Sequence, residues 1–205
     1  ADLNLVAIEL AAEPGARVLP LRGSLPDDWF EHDGQLTKQD VRAFPLSALA
    51  PRAGELLWDI GAGSGSIAIE WSLAHASCRA IAVEQDRERC ERIARNAHAL
   101  GATGLQIVQA RAPEGLGELT PPHAVFIGGG VRDQTLIARC VTALQRGGRL
   151  VANAVSLEGQ AALIEQYAAH GGDLRRIAIE SSSALGGTNA LRPAFAVLQW
   201  RYQKP

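Results

Sequence analysis

From Glu55 onward short apolar runs alternate with longer amphipathic ones, and glycine or proline punctuates nearly every join. Residues 55–60, 79–84, 105–109, 124–127 and 149–154 are apolar runs of strand length. Helix-length segments follow at 65–76, 87–100, 133–145 and 157–170. Asp86 can cap the helix at 87–100 and Gly101 can stop it, while Gly147-Gly148 and Gly171-Gly172 end the last two. Such alternation predicts an α/β fold with a mostly parallel sheet covered on both faces, whose ligands bind beyond the carboxyl ends of the strands. The loops after Ile60, Glu84, Gln109, Ile127 and Ala154 therefore matter most. Segments 174–182 and 194–202 alternate more cleanly and join through Gly186-Gly187-Thr188-Asn189. They are expected to close the sheet as an antiparallel hairpin, with Phe195, Val197 and Gln199 on one face and Ala196, Leu198 and Trp200 on the other.

The first 35 residues break this pattern. Prolines at 14, 20 and 26 and the charges of Asp27, Asp28, Glu31, His32 and Asp33 predict a linker or surface arm over 1–35, ahead of a domain over 36–205. Leu3-Asn4-Leu5-Val6-Ala7-Ile8 reads as a strand or linker arriving from elsewhere. Thr37 is a candidate N-cap for a helix beginning at Lys38, and Pro45 should kink or divide that helix by removing an amide bond to Val41.

Composition narrows the function classes. At 205 residues and 47% hydrophobic content the chain can bury one main core. A net charge of −2 without any Lys/Arg run argues against a nucleic-acid partner, and no apolar stretch reaches membrane-span length. Cys78, Cys90 and Cys140 are far apart and form no C-x-x-C pair, which suits a reducing cytoplasm. The five histidines lack ligand spacing, so no metal site is expected. The complete absence of methionine leads us to expect a piece of a longer polypeptide.

The chemistry concentrates in Leu56-Leu57-Trp58-Asp59-Ile60-Gly61-Ala62-Gly63-Ser64-Gly65, a buried strand ending in an acid and then three alternate glycines. Glycines there admit a ligand against the backbone. The next strand, Ala80-Ile81-Ala82-Val83-Glu84, also ends in an acid, placed to accept hydrogen bonds from both hydroxyls of a ribose. A nucleoside-containing cofactor is expected. The order G-x-G-x-G, with Ser66 where a dinucleotide fold has its third glycine, and the preceding Asp59 resemble the class I S-adenosylmethionine (SAM) methyltransferases, a Rossmann-like fold. That resemblance implies SAM as cofactor, a seven-stranded sheet with a C-terminal antiparallel hairpin, and Asp59 orienting the methionine end.

Five further features sharpen it: Leu36-Thr37-Lys38 with Val41-Arg42; Trp58 to Glu70; Ala82-Val83-Glu84; Ala110-Arg111-Ala112-Pro113-Glu114; and Val125-Phe126-Ile127-Gly128-Gly129-Gly130. In this order, over residues 32 to 202, the chain resembles the decarboxylating precorrin methyltransferases of cobalamin biosynthesis, in particular the C-terminal domain of their two-domain members. The resemblance implies SAM held by Thr37, the loop Gly61, Ala62, Gly63, Ser64 and Gly65, Glu84 with Gln85, and the backbone of Arg111 and Ala112 at the adenine. It implies methylation of carbon 15 of a precorrin, with loss of carbon dioxide from the ring C acetate. An N-terminal methyltransferase domain of the same full-length chain would serve carbon 5, and the assembly would be a homotetramer. The many carboxylates of a tetrapyrrole call for cations and amides, for which Lys38, Gly129, Gly130, Arg132, Asn153 and Arg192 are candidates. Catalytic residues are not assigned. Glu70 and Trp71 are assigned to the helix face. An RNA base methyltransferase and a non-catalytic SAM-binding module are the competing readings.

Overall fold

A computed structural model describes residues 5–9, 11–20 and 24–205. The expected strand near the start falls partly on Leu3 and Asn4, outside the described residues; Leu5 to Glu9 have no regular structure, and Leu5, Val6 and Ile8 are exposed. The elements are α1 (Gln39–Leu49), β1 (Leu56–Ile60), α2 (Ser66–Leu73), β2 (Arg79–Glu84), α3 (Arg87–Ala99), β3 (Gln106–Gln109) and β4 (Ala124–Ile127). Then come α4 (Gln134–Ala143), β5 (Arg149–Ala154), α5 (Leu157–His170), β6 (Asp173–Ile177), β7 (Glu180–Leu185), β8 (Thr188–Pro193) and β9 (Val197–Gln203). A seven-stranded sheet runs β3-β2-β1-β4-β5-β9-β6, parallel from β3 to β5 and antiparallel at β9.

The parallel strands are apolar throughout because helices cover both faces. On one face Trp58, Ile60, Val83, Ile127 and Leu150 pack with Leu136, Ile137 and Cys140 of α4 and Leu163 of α5. On the other, Leu57, Ala82, Phe126 and Val151 pack with Leu49 of α1, Ile67 and Trp71 of α2, and Ile93 of α3. Strand alternation puts Asp59 and Glu84 on this second face, beneath α2 and α3.

The closing hairpin differs from expectation. β6 and β9 do pair antiparallel, with Gln199 opposite Arg175, but residues 180–193 leave the sheet as a separate two-stranded hairpin of β7 and β8. β7 is serine-rich and both strands are largely exposed, so they offer no apolar face to the core. Phe195 lies in the link to β9 rather than in a strand.

The lead-in also departs from a free arm. Leu25 and Phe30 are buried against Ile69 of α2 and Ala97 of α3. Arg42, fully buried, binds Glu70 at 2.6 Å and Asp27 at 3.2 Å, and donates to the carbonyls of Thr37 and Leu25. Its guanidinium lies 4.8 Å over the Phe30 ring. Glu70 also accepts from the Leu25 amide at 3.0 Å. The assignment of Glu70 and Trp71 to the helix therefore holds, with Glu70 serving as an anchor. Thr37 is not the N-cap: α1 begins at Gln39, whose amide donates to Asp27 Oδ1 at 2.8 Å. A distant carboxylate does the capping because the Arg42 network brings it there. Nor does Pro45 divide α1, which runs through it with Pro45 and Leu49 buried. Only the one amide bond to Val41 is lost, and packing on both sides of it holds the helix.

Replacing Arg42 with methionine leaves the buried Glu70 carboxylate without its cation and two carbonyls without their guanidinium donor. Chemical denaturation should register a loss of about 3–5 kcal/mol; a loss below about 1 kcal/mol would contradict the clamp.

Candidate functional site

The carboxyl ends of β1 to β5 open into one cleft of ≈ 1180 Å³, walled on the far side by the lead-in from Gly34 to Lys38 and by Ala194-Phe195. Its floor is the glycine loop. Gly61, Gly63 and Gly65 take φ values of +69°, +59° and +79°, which side chains rarely adopt. Space adds a second demand, different at each. A Cβ on Gly61 would meet the Gly129 amide nitrogen at 3.1 Å, and one on Gly63 the Gln35 carbonyl at 3.1 Å. One on Gly65 would strike Ile93 Cγ2 at 2.8 Å. Gly61 and Gly63 thus permit close approach of the β4 turn and the lead-in, whereas Gly65 lets α2 pack on α3. Neither Gly65 nor Ser64 lines the cleft; Ser64 is buried, and its carbonyl accepts from Asn96 Nδ2 at 3.0 Å. Asn96 also bonds the Glu31 amide and carbonyl, tying lead-in, loop and α3 together.

Two buried carboxylates face the same space. Glu84 accepts from the Gly63 amide at 2.9 Å and the Asp86 amide at 3.1 Å. Asp59 accepts from the Ala68 amide at 3.0 Å, in the first turn of α2. Burial pushes the Asp59 carboxyl up to about 7, against the pull of that amide and with the Glu84 charge adding to the rise. Among the described residues neither carboxylate has a lysine or arginine partner. Arg89 lines the cleft but is drawn to Asp33 at 2.9 Å. A backbone bond from Gln35, then Arg89, holds the Asp33 carboxyl well below the usual range. The floor therefore pairs amide-rich backbone with uncompensated negative charge. A dinucleotide would set its pyrophosphate at the start of α2; here Asp59 occupies that amide and repels phosphate. A cationic nucleoside fits instead.

Of the cofactor residues named from sequence, Thr37, Asp59, Gly61, Ala62, Gly63, Glu84, Gln85, Arg111 and Ala112 line the cleft. The Arg111 side chain is exposed at its rim. On the acceptor side Lys38, Gly129, Gly130, Arg132 and Asn153 line it as well. Arg192 does not: it lies in β8 opposite Ser181, because residues 180–193 left the sheet. His32 is occupied in its own loop, accepting from the Gly34 amide at 3.1 Å. Sequence reasoning missed Gln35, Leu36, Arg89 and Phe195. Only Leu36 carried a signal, as part of the Leu36-Thr37-Lys38 motif.

A family profile described as a precorrin methyltransferase domain matches residues 28–204. The precorrin-6Y C(5,15)-methyltransferase [decarboxylating] of a Sinorhizobium species is 51% identical over 202 residues, covering 98% of this chain and 49% of that protein. The probable cobalt-precorrin-6B C(15)-methyltransferase (decarboxylating) of Pyrobaculum calidifontis is 36% identical over 145 residues, 69% of this chain and 74% of that one. Among solved structures, the C-terminal domain of the Rhodobacter capsulatus precorrin-6Y C5,15-methyltransferase superposes with a TM-score of 0.85 at 44% identity, over 91% of this chain and all of that one. The chain spans about half the length of the precorrin-6Y methyltransferases it matches. It belongs to the precorrin methyltransferase family.

Proposed function

We propose that the chain transfers the SAM methyl group to carbon 15 of a precorrin and removes the ring C acetate carboxyl as carbon dioxide. The carrying observation is the cleft floor, where Asp59 and Glu84 stand uncompensated beside a glycine loop. SAM carries a sulfonium and an ammonium, and so supplies the positive charge the protein withholds. Its chemistry is a strongly electrophilic methyl group. The chain's part is to orient, align and exclude water. Glu84, its orientation fixed by two amides, takes the ribose hydroxyls; Asp59 takes the methionine end; the backbone at Arg111 and Ala112 takes the adenine, since an arginine side chain cannot accept from its amino group.

A volume of ≈ 1180 Å³ exceeds the need of an adenosyl cofactor and leaves room for a large acceptor. Lys38, Arg132 and the Gly129-Gly130 amides give that side donors for carboxylates. Electrons released on decarboxylation pass into the conjugated imines of the tetrapyrrole, so the protein need not furnish a sink. Carbon-5 methylation we assign to a separate N-terminal domain in longer relatives, and we infer a cytoplasmic homotetramer on the family's pattern.

Incubation with labelled SAM and either a precorrin or bulk transfer RNA should label the precorrin alone. Label in RNA would favour the base-methylating reading, and label in neither would favour a binding module. Glu84→Ala should weaken SAM at least tenfold by calorimetry, and unchanged affinity would remove Glu84 from the ribose.

The elevated Asp59 value gives a pH signature. The folded carboxyl keeps its proton to higher pH than the unfolded one, so unliganded stability should fall as pH rises from about 4 to about 7 and level above that. A cation beside Asp59 reverses the preference. SAM binding should release up to one proton at pH 6 and almost none at pH 8. Calorimetry in buffers of different ionisation enthalpy reads this, and Asp59→Asn should abolish it.

A further inference from the structure

The wall of the cleft formed by β5 is wired to an arginine outside it. Asn153, at the end of β5, is the direct cross-strand partner of Gln199 on β9, and Arg201 lies two residues further along the same face. Arg201 Nε donates to Gln199 Oε1 at 2.6 Å, and Gln199 Nε2 donates to Asn153 Oδ1 at 3.0 Å. Gln199 is fully buried, while Asn153 is half-buried and lines the cleft.

The polarity of this chain is forced. A guanidinium only donates, so the oxygen of Gln199 must turn to Arg201. Its NH2 must then turn to Asn153, and Asn153 must answer with oxygen. The remaining end of Asn153 is its NH2, which has no acceptor in the protein among the described residues. A cation at the head of the chain polarises each successive amide and strengthens the last donor.

We infer that Arg201 and Gln199 are positioning residues that hold Asn153 as an obligate donor into the cleft, and that its partner is a carboxylate oxygen of the tetrapyrrole. This rests on the function proposed above. Lys38 and Arg132 line the same cleft and favour an anion there. An asparagine free to turn over would present donor or acceptor equally and would discriminate little. The relay removes that freedom and makes the position selective for acceptors.

Gln199→Glu tests it with little change in shape. Glutamate accepts from Arg201 but cannot donate, so Asn153 must turn its NH2 inward and present oxygen to the cleft. The KM for the precorrin should rise about tenfold or more, with SAM affinity and melting temperature unchanged and kcat affected much less. Asn153→Asp, which places a negative charge at the same spot, should raise KM at least as far. An unchanged KM in a folded, SAM-binding Gln199→Glu protein overturns the inference. Should that variant fail to fold, neutron crystallography of the deuterated wild type reads the amide directly. Deuterium on the Asn153 atom facing the cleft is expected, and its absence there overturns the inference. A wild type that never methylates the precorrin would sink the function instead, while the neutron result still decides the polarity.

Discussion

The site depends on two acids that have no ion-pair partner among the described residues. Carboxylates buried on adjacent strands repel one another and lose hydration, and a structural pair would ordinarily recruit a lysine or arginine. Here each is satisfied by backbone amides: Ala68 for Asp59, and Gly63 and Asp86 for Glu84. Amides hold the carboxylates in place without cancelling their charge. The cost appears in Asp59, whose carboxyl is raised to about 7. A cation beside Asp59 would offset that penalty, which ties the raised carboxyl to the charge of whatever binds there.

Arg42 and Arg89 are committed to other carboxylates, and the neutral amide of Asn96 helps to fix the same region. Arg42 is consumed by Glu70, Asp27 and two carbonyls; Arg89 is drawn to Asp33; Asn96 stitches Glu31 to Ser64. These contacts press the lead-in onto the glycine loop until Gln35 closes over Gly63. The same network thus shapes one wall of the cleft and draws the Arg89 guanidinium toward Asp33. Glycine at 63 is required by that wall as much as by any ligand.

The local alternation of the chain was legible in sequence. Strand 149–154 and helix 157–170 match β5 and α5 residue for residue, because apolar run length and flanking glycines are local signals. Most residues expected on the cofactor side line the cleft, since the loop after each parallel strand must reach it. What escaped was long-range. Asp27 capping Gln39, and Arg42 meeting Glu70, join residues whose proximity only the tertiary fold creates. The hairpin at 180–193 escaped for another reason: period-2 alternation marks a strand but does not say which sheet it joins. Arg192 went with it. Ser64 and Gly65 were misread because spacing locates glycines without naming their neighbours.

The insertion of β9 between β5 and β6 has a chemical consequence beyond closing the sheet. In a wholly parallel sheet, the strand beside β5 would bring another carboxyl end to the cleft. An antiparallel β9 instead runs away from it, so one face of the strand leads from Val197 at the cleft edge, through buried Gln199, to half-buried Arg201. That direction lets a partly solvated cation act on the cleft through two amides without entering it. A guanidinium set directly against Asp59 or Glu84 would pair with it and cancel its charge. Setting it two residues back gives the acceptor side a donor while leaving the two acids uncompensated, which is the condition both halves of the proposed reaction share.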